Sequence, residues 1–185
     1  MKTIVLYTSS TGSTERYAKD IANKIGGDVL PLKKFKWKNA SDYDCFVFGG
    51  WVLNGKIQGL DDFLCHYEEL NDAKKHILIF SSGLSFPSPE GRKDLINRNI
   101  LDLYHVRYYQ LRGSFDINKL NWRYKLAMKL MIKKVTGDPN SSLDQVAMYS
   151  SFLTTPIDYF DYEKVEKIVT VINKLSLEPI DVEVK

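Results

Sequence analysis

Four short runs of β-branched and aromatic residues punctuate the chain: Thr3 to Thr8, Asp44 to Gly49, His76 to Ser81 and Val106 to Gly113. Their apolar character is nearly continuous rather than alternating, the pattern of strands covered on both faces. A fainter run, Val29 to Leu32, reads as an edge strand, because Pro31 lacks the N–H that a central ladder needs. Between these runs apolar positions recur every three or four residues. That spacing predicts helices over Ser13 to Ile25, Leu60 to Leu70, Pro89 to Leu103, Leu120 to Val135 and Tyr162 to Leu175. Strand and helix alternate almost strictly, which predicts an α/β fold with a parallel sheet between two helical layers. In such folds ligands bind beyond the carboxyl ends of the strands, so the loops after the apolar runs are where chemistry is expected.

Composition narrows the class. A chain of 185 residues, 44% of them hydrophobic, has material for one substantial core, so 1–185 is read as a single domain. The formal net charge of +3 is a mild excess, and no nucleic-acid partner is expected. Cys45 and Cys65 lack CxxC spacing, and His66, His76 and His105 are scattered; neither a disulfide framework nor a metal site is predicted. The opening residues MKTIVLYTSSTG lack the long apolar core of a signal peptide, and no window is apolar for long enough to span a bilayer. A cytoplasmic protein is expected, with peripheral contact at the inner face of the plasma membrane left open.

The loop after the first strand reads Thr8-Ser9-Ser10-Thr11-Gly12-Ser13-Thr14 and runs straight into a helix. Hydroxyl groups, a glycine that lets the backbone approach closely, and a fresh helix N-terminus together make a phosphate cradle. The GxxxxGK[ST] and GxGxxG patterns are both missing, so a terminal monophosphate fits better than a triphosphate or a dinucleotide. The same residues would also serve a plain capping turn, with Ser13 or Thr11 as N-cap and Glu15 as its partner.

In that position Ser9, Ser10, Thr11, Gly12, Ser13 and Thr14 resemble the [ST]-x-T-G-x-T phosphate loop of flavodoxins. The resemblance implies a flavodoxin-like three-layer sandwich: a five-stranded parallel sheet of order 2-1-3-4-5 with helices on both faces and FMN held by its phosphate. By the same analogy Ser9, Thr11, Ser13 and Thr14 hold the phosphate, and Gly12 lets the backbone close around it. Two further loops fit the pattern. Gly50-Trp51-Val52-Leu53-Asn54-Gly55 presents an aromatic between glycines, suited to a planar ring. Ser82-Gly83-Leu84-Ser85-Phe86-Pro87 resembles the third flavin-contacting loop.

The segment after the last strand departs from short flavodoxins. Leu111-Arg112-Gly113-Ser114-Phe115, then Trp122-Arg123-Tyr124-Lys125 and a basic helix over 119–137, resemble the insert of flavodoxin-type, menaquinone-dependent protoporphyrinogen oxidases. At 100° per residue Leu120, Tyr124, Ala127, Met128, Met131 and Val135 share a face expected to pack on the body of the protein. Trp122, Leu126 and Leu130 form a second ridge, flanked by Lys119, Arg123, Lys129 and Lys133. That ridge suits either an anionic membrane, an acidic partner or a second packing face. Two functions remain open: an FMN-dependent oxidoreductase acting on protoporphyrinogen or a related substrate with a quinone acceptor, or an FMN electron carrier between redox proteins. No catalytic residue is assigned, since the cofactor carries the redox step.

Overall fold

The computed structural model describes residues 1–85, 87–120, 122–154 and 156–177. Five strands form one parallel sheet: β1 (Thr3–Tyr7), β2 (Asp28–Pro31), β3 (Cys45–Leu53), β5 (His76–Gly83) and β6 (Arg107–Arg112), in the order β2-β1-β3-β5-β6. A two-residue strand, β4 (Lys56–Ile57), folds back antiparallel on the end of β3. Counted without β4, this is the expected order 2-1-3-4-5. β1 and the first six residues of β3 are buried throughout, as their unbroken apolar runs require.

Successive side chains alternate between two cores. Ile4, Leu6, Phe46, Phe48, Ile77 and Ile79 face one side, where Leu60, Phe63, Leu70 and Leu95 cover them. Val5, Val47, Leu78 and Phe80 face the other, under α1 (Ser13–Ile25) and α7 (Tyr162–Leu175). Tyr17 of α1 ties this second layer together. Its hydroxyl donates to the Arg112 carbonyl at 2.6 Å and accepts from the Asp161 N–H at 2.7 Å, and burial pushes its pKa up to about 12.

Two predicted helices are interrupted. The Leu60 to Leu70 segment divides into α2 (Leu60–Leu64) and α3 (Tyr67–Asp72), with His66 stacked on Trp37 at 3.6 Å in the break. The Pro89 to Leu103 segment ends as a helix, α4 (Pro89–Arg98), at Asn99. The Asn99 amide donates to the Leu95 and Gly55 carbonyls and accepts from the Ile57 N–H, so its side chain competes with continued helix and braces β4 instead.

The segment after β6 leaves the main body. Phe115 and Ile157 form an antiparallel bridge, exchanging N–H···O bonds of 2.7 and 2.8 Å. Between them lie α5 (Trp122–Thr136) and α6 (Leu143–Thr154), which share a third core built on Phe115, Ile117, Ile132 and Phe152. α6 was not predicted. Its presence also corrects the expected inner face of α5. Ile132 is the buried residue, joined by half-buried Met128 and Val135, whereas Tyr124, Ala127 and Met131 are exposed. The inward stripe keeps Leu120, Met128 and Val135 of the expected face but is rotated toward Ile132, which packs with Ile117 and Phe152 in the third core. Trp122, Leu126 and Leu130 face solvent.

Candidate functional site

The three sequence-predicted loops meet because β1, β3 and β5 are neighbours in the sheet. Helix α1 starts at Gly12, which adopts a left-handed conformation (φ 90°) and offers no capping side chain. The capping alternative is therefore not realised: neither Thr11 nor Ser13 is the N-cap, and Glu15 pairs with Lys19 instead. The first turn of α1 therefore begins without a capping side chain on its N–H groups.

The hydroxyls of this loop divide into two sets. Thr14 is fully buried, and its Oγ1 lies 2.8 Å from Ser82 Oγ, joining the first loop to the third. Ser13 Oγ accepts from the Ser114 N–H at 2.8 Å, joining the loop to the segment after β6. Ser9, Ser10 and Thr11 are half-buried and Gly12 is exposed, with Ser9 Oγ accepting from the Gly12 N–H at 3.1 Å.

A cavity of about 290 Å³ opens beside this helix end, lined among others by Thr11, Gly12, Ser13, Arg16 and Lys119. Arg16 is held there by Asp158 at 2.6 Å and the Tyr162 hydroxyl at 3.0 Å, with its guanidinium over the Phe160 ring. Hydrogen bonds from the Ser114 hydroxyl and then from Arg16 hold the Asp158 carboxyl below its usual range. Neither Arg16 nor Lys119 was predicted as part of the site. Arg16 lies one turn into α1 from Gly12, a spacing that could have signalled it; Lys119 was read as an edge of the basic helix.

The second loop is more ordered than predicted. Residues Gly50 to Leu53 continue β3, and Asn54-Gly55 forms the turn into β4, both with positive φ (51° and 78°). That is the signature of a two-residue hairpin turn, and the Asn-Gly pair was its sequence signal. A Cβ on Gly50 would fall 2.4 Å from Ile57 Cγ2, so the fold-back demands glycine there. Trp51 is half-buried and meets Tyr124 of α5 edge to face, with ring centroids 5.9 Å apart. Leu53 is half-buried and Asn54 exposed on the same hairpin.

In the third loop, Ser82 and Gly83 still belong to β5. Ser82 pairs with Trp51 in the sheet register, and Gly83 packs against Val52. The Gly83 carbonyl accepts from the Gly113 N–H at 2.7 Å. Leu84 is half-buried against the third core. Phe86 lies outside the described residues. Among the described residues no group of histidine, cysteine or acidic side chains could hold a metal ion.

The flavodoxin domain family model matches residues 4–142, from β1 to the turn before α6. A flavodoxin of Haemophilus influenzae is 31% identical over 84 residues, 43% of this chain; the chain spans about half of that relative, 48% of its length. An uncharacterized protein of Methanocaldococcus jannaschii is 26% identical over 117 residues, 62% of this chain and 73% of that protein. Among solved structures, oxidised flavodoxin 2 from Bacillus cereus is 15% identical, covering 82% of this chain and 94% of its own, with a TM-score of 0.46. A flavoprotein from Lactobacillus acidophilus, solved in complex with FMN, is 12% identical, covering 60% and 91%, with a TM-score of 0.41. The family match takes in the phosphate-type loop, both other loops and helix α5, and the chain belongs to the flavodoxin domain family.

Proposed function

We propose that this protein binds FMN and carries electrons between redox partners. The observation that supports this most directly is the uncapped N-terminus of α1 at Gly12, facing a cavity that Thr11, Arg16 and Lys119 also line. That donor set suits a phosphate: the first turn of α1, the Thr11 hydroxyl, Arg16 and Lys119 border the same cavity, which Asp116 and the Arg16 partner Asp158 line as well. Trp51, on a hairpin braced by Asn99, offers an aromatic edge for the isoalloxazine ring. When bound, FMN supplies one- and two-electron redox chemistry; the chain's part is to hold the phosphate, orient the ring and shield it from water.

The test is a titration of the purified apoprotein with FMN and with riboflavin, followed by flavin fluorescence, and then anaerobic reduction of the complex. FMN binding much tighter than riboflavin binding is expected. Equal affinity for the two would overturn the phosphate reading, and no binding of either would overturn the function.

A second reading, an oxidoreductase similar to the menaquinone-dependent protoporphyrinogen oxidases, is favoured by one feature. Helix α5, part of the basic insert, reaches the ring loop through the Trp51–Tyr124 contact. Anaerobic turnover with protoporphyrinogen and a menaquinone analogue would establish it over the carrier; reduction without turnover would leave the carrier.

A further inference from the structure

The outward face of α5 is apolar along its centre and basic along both sides. Trp122, Leu126 and Leu130 are 70%, 53% and 60% exposed, although each is a residue that burial would favour. At 100° per residue they drift across only about 80° of the helix surface, opposite the Met128–Ile132 stripe that packs inward. Arg123 and Lys134 edge the ridge on one side and Lys129 on the other, while Lys133 falls within its arc one turn beyond Leu130; all four are exposed. From 117 to 137 the chain has six cations and no acidic residue.

We propose that α5 lies along an anionic membrane surface, with Trp122, Leu126 and Leu130 immersed at the boundary of the acyl layer and Arg123, Lys129, Lys133 and Lys134 on lipid phosphates. The shape supports a bilayer over a protein partner: the ridge is convex, and a laterally uniform anionic layer satisfies cations on both flanks at once. Among the described residues no helix is long and apolar enough to cross a membrane, so the contact is peripheral. Tyr124 leaves the opposite side of the same helix to meet Trp51. Docking therefore places the ring loop about one helix diameter, roughly 10 Å, from the lipid surface. The proposal does not depend on flavin binding, because every group it uses is on the insert.

The experiment is co-sedimentation of the full chain with phosphatidylcholine vesicles, with and without phosphatidylglycerol. Retention on the anionic vesicles alone, reversed by high salt, is expected. Lys129→Gln with Lys133→Gln should weaken partitioning roughly fivefold per cation. Leu126→Glu with Leu130→Glu should abolish it, and since both positions are exposed, an unchanged melting temperature will show that these variants fold. In the wild type, brominated lipid should quench Trp122 fluorescence, and Trp122→Phe should remove that quenching. Equal retention on neutral vesicles, retention that survives Leu126→Glu with Leu130→Glu, or no retention at all would each overturn the proposal. So would a dimer in solution that the same double variant dissociates, because the ridge would then be covered by a second copy.

Discussion

The hydrogen bond between Thr14 and Ser82 separates a tether from a ligand-binding hydroxyl, and Thr14→Val tests which of these Thr14 is. Both residues are buried, 0% and 3% exposed, and their oxygens lie 2.8 Å apart. Valine keeps the shape and removes the hydroxyl, leaving Ser82 Oγ buried without this partner, at a cost of about 1–3 kcal/mol. Ser82→Ala strands Thr14 in the same way. Removing both should cost less than the sum of the single losses, with a coupling of about 1 kcal/mol in a double-mutant cycle. In a chain of this size each kcal/mol lowers the melting temperature by about 2–4 °C. The assay is urea unfolding of the flavin-free protein, followed by far-UV circular dichroism. Thr11→Ala is the contrast: Thr11 lines the cavity, so its loss should leave stability within about 0.5 kcal/mol. It should weaken FMN binding by roughly tenfold or more. If Thr14→Val left stability untouched and weakened FMN binding as Thr11→Ala does, the tether would be refuted and Thr14 would be a phosphate ligand.

Three further outcomes are expected. Lys119→Gln should weaken FMN binding roughly fivefold at low salt while leaving riboflavin affinity unchanged, since the charge acts on the phosphate alone; fluorescence titrations at two ionic strengths check this. Gly49→Ala should destabilise the fold by about 1–3 kcal/mol or more in urea, because its Cβ would fall 2.2 Å from Phe80 Cζ, and Phe80→Leu should recover part of the loss. Burial pushes the Cys45 thiol up to about 12, so in the native protein a thiol reagent should modify the exposed Cys65 and spare Cys45 until unfolding. The folded-state value is raised, so Cys45 contributes stability that is complete below pH 9.0 and lost as pH rises toward 12, readable as a falling urea midpoint.

The parallel strands and the ends of α1 and α7 were legible because burial on both faces leaves an unbroken apolar run, and burial on one face leaves a 3.6-residue period. Other features depended on partners distant in sequence. Asn99 ends α4 because the Gly55 carbonyl is there to accept from its side-chain amide and the Ile57 N–H to donate to it, contacts across more than forty residues that no local pattern carries. The hydroxyl loop announced a cradle, yet residue type alone could not tell that Thr14 turns inward to Ser82 while Thr11 faces the cavity. The orientation of α5 was misjudged for a related reason: the inward face keeps Leu120, Met128 and Val135 but is rotated toward Ile132, and that rotation is set by α6, whose own pattern was too weak to be seen.

The bridge between Phe115 and Ile157 gives the insert a single point of exit and return. Residues so paired hold their Cα atoms roughly 5 Å apart, a gap that a short turn spans. The whole excursion is therefore detachable: the forty-odd intervening residues could be exchanged for a few without altering the register of any strand, because the parallel sheet does not pass through them. In evolutionary terms the insert is an appendage that can be gained, lost or replaced as a unit, and binding surfaces can diversify on it while the sheet and its three loops stay fixed.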